Sequence, residues 1–338
     1  MIPKIDQDQV KLLQNKLASA KNILITAHHR PDGDAIGSSL ALMHYLKAKG
    51  HNCNVMVPDP FPSFLDWLEG TNEVIIYQDD EDAAEKMLRS ADLIFCLDYN
   101  EPSRVFKMRR SLEESTATKV MIDHHLEPAD FCDINFSYNS ACSTAEIVYY
   151  LIKSMDDVNL IDKKIGEALY TGIMTDTGSF RYESMTADTH EVIAQLLRNG
   201  VVNHKVHENV YNDSSEDRTR LIGFATTERL VVLHDKNVAY MWLTKKDLER
   251  FNYQPGDTEG IVNIPLAIRG IKLSALFTEG NDIIKISFRS VGDISVQDLA
   301  SKYFNGGGHK NAAGGRSTLS MDETKTKFEE IIKNLKGL

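Results

Sequence analysis

The chain has 338 residues, 42% of them hydrophobic and 26% charged, with a formal net charge of −11. That length exceeds one ordinary core, so two domains are expected, and the composition is globular rather than disordered. The acidic balance argues against a long nucleic-acid duplex as partner, since such binders usually carry a basic face; no apolar run approaches a membrane span and the Met-Ile-Pro-Lys start has no signal-peptide pattern, so a cytoplasmic protein is expected.

Residues 22–26 read as a buried strand and 37–49 as a helix closed by Gly50. Strands over 54–57, 73–77, 92–97 and 119–122 alternate with helical patterns at 82–89, 143–154 and 164–174. That alternation predicts an α/β fold: a mostly parallel, five- or six-stranded sheet with helices on both faces. Ligands of such sheets sit at the carboxyl ends of the strands. Residues 188–198 form a helix with Thr186 as its cap and Gly200 after it. The polar stretch 196–227 reads as a partly helical connection. Beyond it lie a strand at 238–243, a hairpin of 272–278 and 282–290, a helix at 296–304, and a last helix from about Met321. Ser320 and Glu323 have capping-box spacing there. The expected organisation is a first domain at 1–195, the connection, and a smaller α+β domain at 228–338. Cys53, Cys96, Cys132 and Cys142 form no C-x-x-C pair, so they read as reduced thiols.

The strands of the first half run into metal-ligand residues. His28, Asp32 and Asp34 follow the first strand, Asp98 follows 92–97, and Asp123, His124 and His125 follow 119–122. Asp176 interrupts an apolar helical stretch. Burying such groups unpaired costs several kcal/mol each. A parallel sheet would bring them to one edge, where their mutual repulsion calls for cations. Two divalent ions fit. Mixed carboxylate and imidazole donors favour Mn, Fe, Co or Zn, whereas Mg prefers oxygen and keeps its waters. Singly, each aspartate reads as a turn residue or helix cap, Asp34 in particular. His29 is expected to face away from the ligands. The recurrence at equivalent places carries the reading.

In the second half Gly306, Gly307 and Gly308 permit backbone conformations closed to other residues. Their successive N–H groups can cradle an anion at which His309 also points; a flexible turn before the last strand is the alternative. Arg289, near the end of a strand, is a candidate for bidentate phosphate binding, against an exposed strand-end charge. Arg104, shortly after Asp98, is a weaker candidate for touching substrate, against a solvated loop.

These motifs stand in the order found in DHH-family phosphoesterases, which the chain resembles over nearly its whole length. Asp123-His124-His125 matches the namesake triplet, His28-x-x-Pro31-Asp32-Gly33-Asp34 the first motif, Asp98 the second and Asp176 the fourth. Gly306-Gly-Gly-His309-Lys-Asn-Ala-Ala-Gly314 matches the GGGH signature of the DHH-associated domain. Size and the single associated domain resemble the nanoRNase/pAp phosphatase (NrnA-like) group. RecJ exonucleases are larger, cyclic-di-AMP hydrolases often add membrane and sensor segments, and family II pyrophosphatases lack GGGH.

The resemblance implies that His28, Asp32 and Asp98 hold one Mn2+, and that Asp34, Asp98, His124 and Asp176 hold a second, with Asp98 bridging. Mg2+ or Co2+ are the substitutes it allows. It gives Asp98, Asp123 and His125 catalytic roles, His125 facing the substrate phosphate and Asp123 orienting a histidine. Arg104, Arg289, Gly306, Gly307, Gly308 and His309 would bind substrate. The implied reactions are hydrolysis of short oligoribonucleotides (nanoRNA of two to five nucleotides) to mononucleotides and of 3′-phosphoadenosine 5′-phosphate (pAp) to AMP. Hydrolysis of linear or cyclic dinucleotides, or of polyphosphate, is the alternative. The expected partners are these small substrates, with no long duplex and no membrane; a homodimer is left open.

Overall fold

The computed structural model describes residues 3–212 and 214–335, and the chain divides into two compact units, Met1–Asp213 and Ser214–Leu338. The predicted connection 196–227 is largely helical and is split between the units. One of its residues, 213, lies outside the described ones. Among the described residues no helix is long and apolar enough to cross a membrane.

The first unit runs α1 (Gln7–Ser19), β1 (Ile23–Thr26), α2 (Gly33–Ala48), β2 (Cys53–Val57), β3 (Ile75–Ile76), α3 (Glu81–Ser90), β4 (Leu93–Leu97), α4 (Arg109–Glu114), β5 (Thr118–Asp123), β6 (Ile134–Ser137), α5 (Thr144–Ser154), α6 (Lys163–Asp176), α7 (Ala187–Arg198) and α8 (Asn203–Tyr211). The six strands form one all-parallel sheet in the order β3-β2-β1-β4-β5-β6. β1 and β4 are buried at every residue, as strands covered on both faces must be. Side chains of β1, β4 and β5 alternate between two cores. Ile23, Ile25, Phe95, Val120 and Ile122 pack with α1, α2, α5 and α6, while Leu24, Ile94, Cys96 and Met121 pack with α3 and α4. The strand order reverses direction between β1 and β4, where ligands of doubly wound sheets bind.

Several elements differ from the sequence reading. The predicted strand at 73–77 shrinks to two residues between short helical turns. α1 and β6 carried no recognised signal. α2 starts four residues early, because Asp32 caps it by accepting the N–H groups of Asp34 and Ala35. Asp34 is therefore inside the helix and not its cap.

The second unit runs α9 (Glu216–Glu228), β7 (Leu230–Leu233), β8 (Val238–Leu243), α10 (Lys245–Arg250), β9 (Leu273–Glu279), β10 (Ile284–Ser290), α11 (Val296–Tyr303), β11 (Gly307–His309), β12 (Ala312–Ser317) and α12 (Met321–Asn334). Its sheet has the order β11-β12-β10-β9-β8-β7 and is antiparallel except between β8 and β9. β9 and β10 form the predicted hairpin. Phe277, Phe288, Phe304 and Phe328 centre a core beneath α11 and α12, while Leu221, Ala225, Leu248 and Phe251 fill the opposite face.

Candidate active site

β1, β4 and β5 are neighbours with aligned carboxyl ends: Thr26 lies opposite Cys96, and Leu97 opposite Ile122. The residues after these strands therefore meet. His28, Asp32 and Asp98 bring one ligand atom each to within 4.8 Å of the others, and Asp34, His124 and Asp176 do the same. Asp98 stands between the two groups. Its Oδ2 lies 3.4 Å from His28 Nε2 and its Oδ1 lies 3.6 Å from His124 Nε2. His28 Nε2 is also 3.9 Å from Asp32 Oδ2, and His124 Nε2 is 3.5 Å from Asp176 Oδ2. Asp98 is turned by a left-handed backbone, φ 62°, which aspartate tolerates better than most residues.

Asp34 and Asp176 come from helices. α5 directs its N-terminus at Asp34: Thr144 N–H donates to Oδ2 at 2.6 Å and Ala145 N–H to Oδ1 at 2.9 Å. A helix N-terminus favours an anion by its orphan N–H groups and its dipole. α6 crosses so close that a Cβ on Gly172 would come 2.8 Å from Asp34 Oδ1. Glycine is needed there for Asp34 and Asp176, the last residue of α6, to share one space.

Electrostatics reflect the crowding. Burial pushes the Asp34 carboxyl well above the usual range, and the charges of Asp98, Asp176 and Asp32 add to it. Burial and the Asp32 and Asp98 charges raise Asp176 to about 6 against the opposing pull of His124. Burial also pushes Asp98 up, but the His28 hydrogen bond and the three histidine charges outweigh it and hold its carboxyl below the usual range. For His28 burial acts downward, yet the Asp98 hydrogen bond and the Asp32 and Asp98 charges carry it to about 9. His124 is raised by Asp176 and Asp98 against its own burial. A compact set of oxygen and imidazole donors whose carboxylates repel each other fits divalent cations of the mixed-donor kind.

Asp123 and His125 lie beside this set. His125 Nδ1 is 2.8 Å from Asp123 Oδ1, and the His125 N–H donates to Asp123 Oδ2 at 3.1 Å. Arg104 Nη2 reaches 3.4 Å from His125 Nε2, so the structure brings Arg104 to the centre rather than leaving it on a solvated loop. His29 stands apart from the metal-binding groups, 2.6 Å from Asp59 Oδ1. One residue was missed. Thr144 Oγ1 donates to Asp98 Oδ1 at 2.9 Å, and its N–H holds Asp34. The only sequence signal was its place after the cap Ser143 of a predicted helix.

In the second unit, Arg289 and His309 are both in register with Ala312, so the three share one face of the sheet with the small residue in the middle. Arg289 Nη1 donates to the Phe288 carbonyl at 2.9 Å, and its buried Nε has no partner among the described residues. Gly307 and Gly308 lie in β11, and Gly306 precedes it. A Cβ on Gly306 would collide with the Gly314 carbonyl oxygen, whereas one on Gly307 meets nothing within 4 Å. Gly306 N–H donates to Ala300 O at 3.1 Å, so one of the three N–H groups read as a cradle is taken up inside the unit.

Residues 22–173 match the DHH family, N-terminal domain, and residues 235–337 match the DHHA1 domain. The chain is 30% identical over 320 residues, 94% of each chain, to the bifunctional oligoribonuclease and PAP phosphatase NrnA of Bacillus subtilis. It is 31% identical to the protein of the same name from Thermus thermophilus, covering 96% of this chain and 93% of that one. A crystal structure of an exopolyphosphatase-related protein from Bacteroides fragilis is similar with a TM-score of 0.95 and 40% identity, covering 99% of this chain and 98% of the other.

Proposed function

The chain belongs to the DHH family, and from that premise we propose that it is a metal-dependent phosphoesterase that hydrolyses short oligoribonucleotides to mononucleotides and pAp to AMP. Relatives named for both activities match it over nearly their whole length. The observation that carries the reading is Asp98, whose two oxygens face His28 and His124, the histidines of two separate donor sets. On this reading His28, Asp32 and Asp98 hold one ion, and Asp34, Asp98, His124 and Asp176 hold the other. Mn2+ suits the donors, with Co2+ or Mg2+ as substitutes. When bound, such ions polarise phosphoryl oxygens and activate water for attack at phosphorus.

The remaining work falls to side chains. Asp123 holds His125 Nδ1 and so fixes the ring's orientation and tautomer. His125 Nε2 and the neighbouring Arg104 then face the phosphate, Arg104 offering charge. Thr144 keeps Asp98 oriented through its hydroxyl. In the second unit Arg289 and His309, with the backbone of Gly307 and Gly308, offer donors to a phosphate. A net charge of −11 disfavours long duplexes and leaves these local donors to select short anions.

The test is a time course with Mn2+ on a 5′-labelled RNA trimer, a 24-mer and pAp, with Asp98→Ala as control. Rapid loss of the trimer and pAp, slow loss of the 24-mer and none with the variant is the expected result. Metal binding without cleavage of the trimer or pAp would overturn the substrate assignment.

A further inference from the structure

Phe106 is the most exposed of the large apolar side chains among the described residues, at 60%. Its backbone is equally unusual, with φ 48° and ψ −114°, a conformation suited to glycine. Holding a side chain there strains the backbone. Leaving the ring in water forgoes the burial that would offset it. Folding alone would favour glycine on both counts, so the ring calls for a use outside folding.

Its surroundings supply one. The Phe106 ring stacks on His29, centroids 4.8 Å apart and planes 28° apart. Asp59 stands beside His29, its Oδ1 2.6 Å from His29 Nδ1, and its Oδ2 accepts the Arg30 N–H at 2.7 Å. The two segments are also tied through the backbone, His29 N–H donating to Arg104 O at 2.7 Å. His29 follows His28 directly, and Phe106 is two residues beyond Arg104, which reaches His125. A pair of stacked rings thus stands on the two loops that carry the donor set and Arg104.

We propose that Phe106, backed by His29, is the stacking platform for a nucleobase of the substrate. This rests on the nucleotide reading above and adds the group that recognises the base. A phenyl ring offers a face and no hydrogen-bond donor or acceptor, so it accepts every base, purines more tightly than pyrimidines because they overlap it further.

The experiment compares AMP with ribose 5-phosphate on the Mn2+-loaded full chain by calorimetry, alongside KM for pAp. Base stacking on an aromatic ring is worth about 1–3 kcal/mol, or about 5- to 150-fold. Wild type should bind AMP tighter than ribose 5-phosphate by that ratio. Phe106→Ala should abolish the difference while leaving ribose 5-phosphate binding as it was, with KM for pAp rising in proportion, and Phe106→Trp should restore it. Phe106→Gly relieves the backbone strain, so it should raise the melting temperature yet lose AMP affinity as Ala does. Equal losses for AMP and ribose 5-phosphate, or AMP binding indifferent to Phe106, would overturn the platform. Wild type that cleaves neither pAp nor RNA, but binds AMP through Phe106, would overturn the substrate reading and leave the platform standing.

Discussion

In the first unit side chains make up the donor set, and the backbone serves to deliver them. Three adjacent parallel strands end together, two helices approach closely, and His28, Asp32, Asp34, Asp98, His124 and Asp176 arrive from far apart in the chain. In the second unit the backbone is itself part of the construction. β12 comes so close that Gly306, just before β11, has no room for a Cβ, and Arg289 and His309 stand either side of Ala312 on one face of the sheet. Burial separates the two as well: Asp34, Asp98 and His124 are buried, whereas Arg289 and His309 are half-buried. Charges that oppose one another in a buried site call for cations, while the half-buried Arg289 and His309 keep contact with water.

The largest effect should come from Asp98→Ala, which removes the carboxylate between both donor sets. Turnover of pAp should fall by more than about a thousandfold, several kcal/mol of transition-state stabilisation. Arg289→Ala should act differently, raising KM for pAp by about 10- to 100-fold as one charge-assisted contact is lost. Steady-state kinetics of both variants test the division of labour; a fall confined to turnover in Arg289→Ala would break it.

Gly306→Ala and Gly307→Ala sharpen the account of the second unit. The first forces a Cβ into the Gly314 carbonyl and should cost about 1–3 kcal/mol, lowering the melting temperature, while the second meets open space and should stay within about 0.5 kcal/mol. Equal thermal shifts in the two variants would show that β11 does not pack as described.

The smallest effect is a pH trend confined to the metal-stripped first unit. Asp176 sits near 6 against an ordinary 3.8, so the folded state keeps a proton that the unfolded chain has lost, and stability falls as pH rises between them. His28 sits near 9 against 6.5, so its contribution is complete below about 6.5 and is lost as pH rises through 9. Both slopes have the same sign. Differential scanning fluorimetry with chelator should show the melting temperature falling from pH 5 to 9, and excess Mn2+ should reduce the slope, because the ions take the place of the protons.

The alternation of apolar runs with helical patterns was enough to read a parallel sheet, because strands buried on both faces and amphipathic helices leave different periods in the chain. The recurrence of Asp and His after those strands was legible for a related reason: a parallel sheet delivers such residues to one edge whatever the intervening segments contain. α1 and β6 escaped because a short edge strand and a peripheral helix owe their form to what they pack against. Thr144 escaped because its value lies in where α5 points, which no local pattern states. Phe106 escaped because a lone aromatic after a proline and a serine looks like an ordinary loop residue. Sequence by itself determined which residue types are present and which strand ends they follow. Tertiary structure alone decided that Asp98 divides its oxygens between two histidines, that Gly172 must be bare for Asp34, and that Phe106 stacks on His29. Those are distances between segments far apart in the chain, and they exist only once the sheet and its helices have closed.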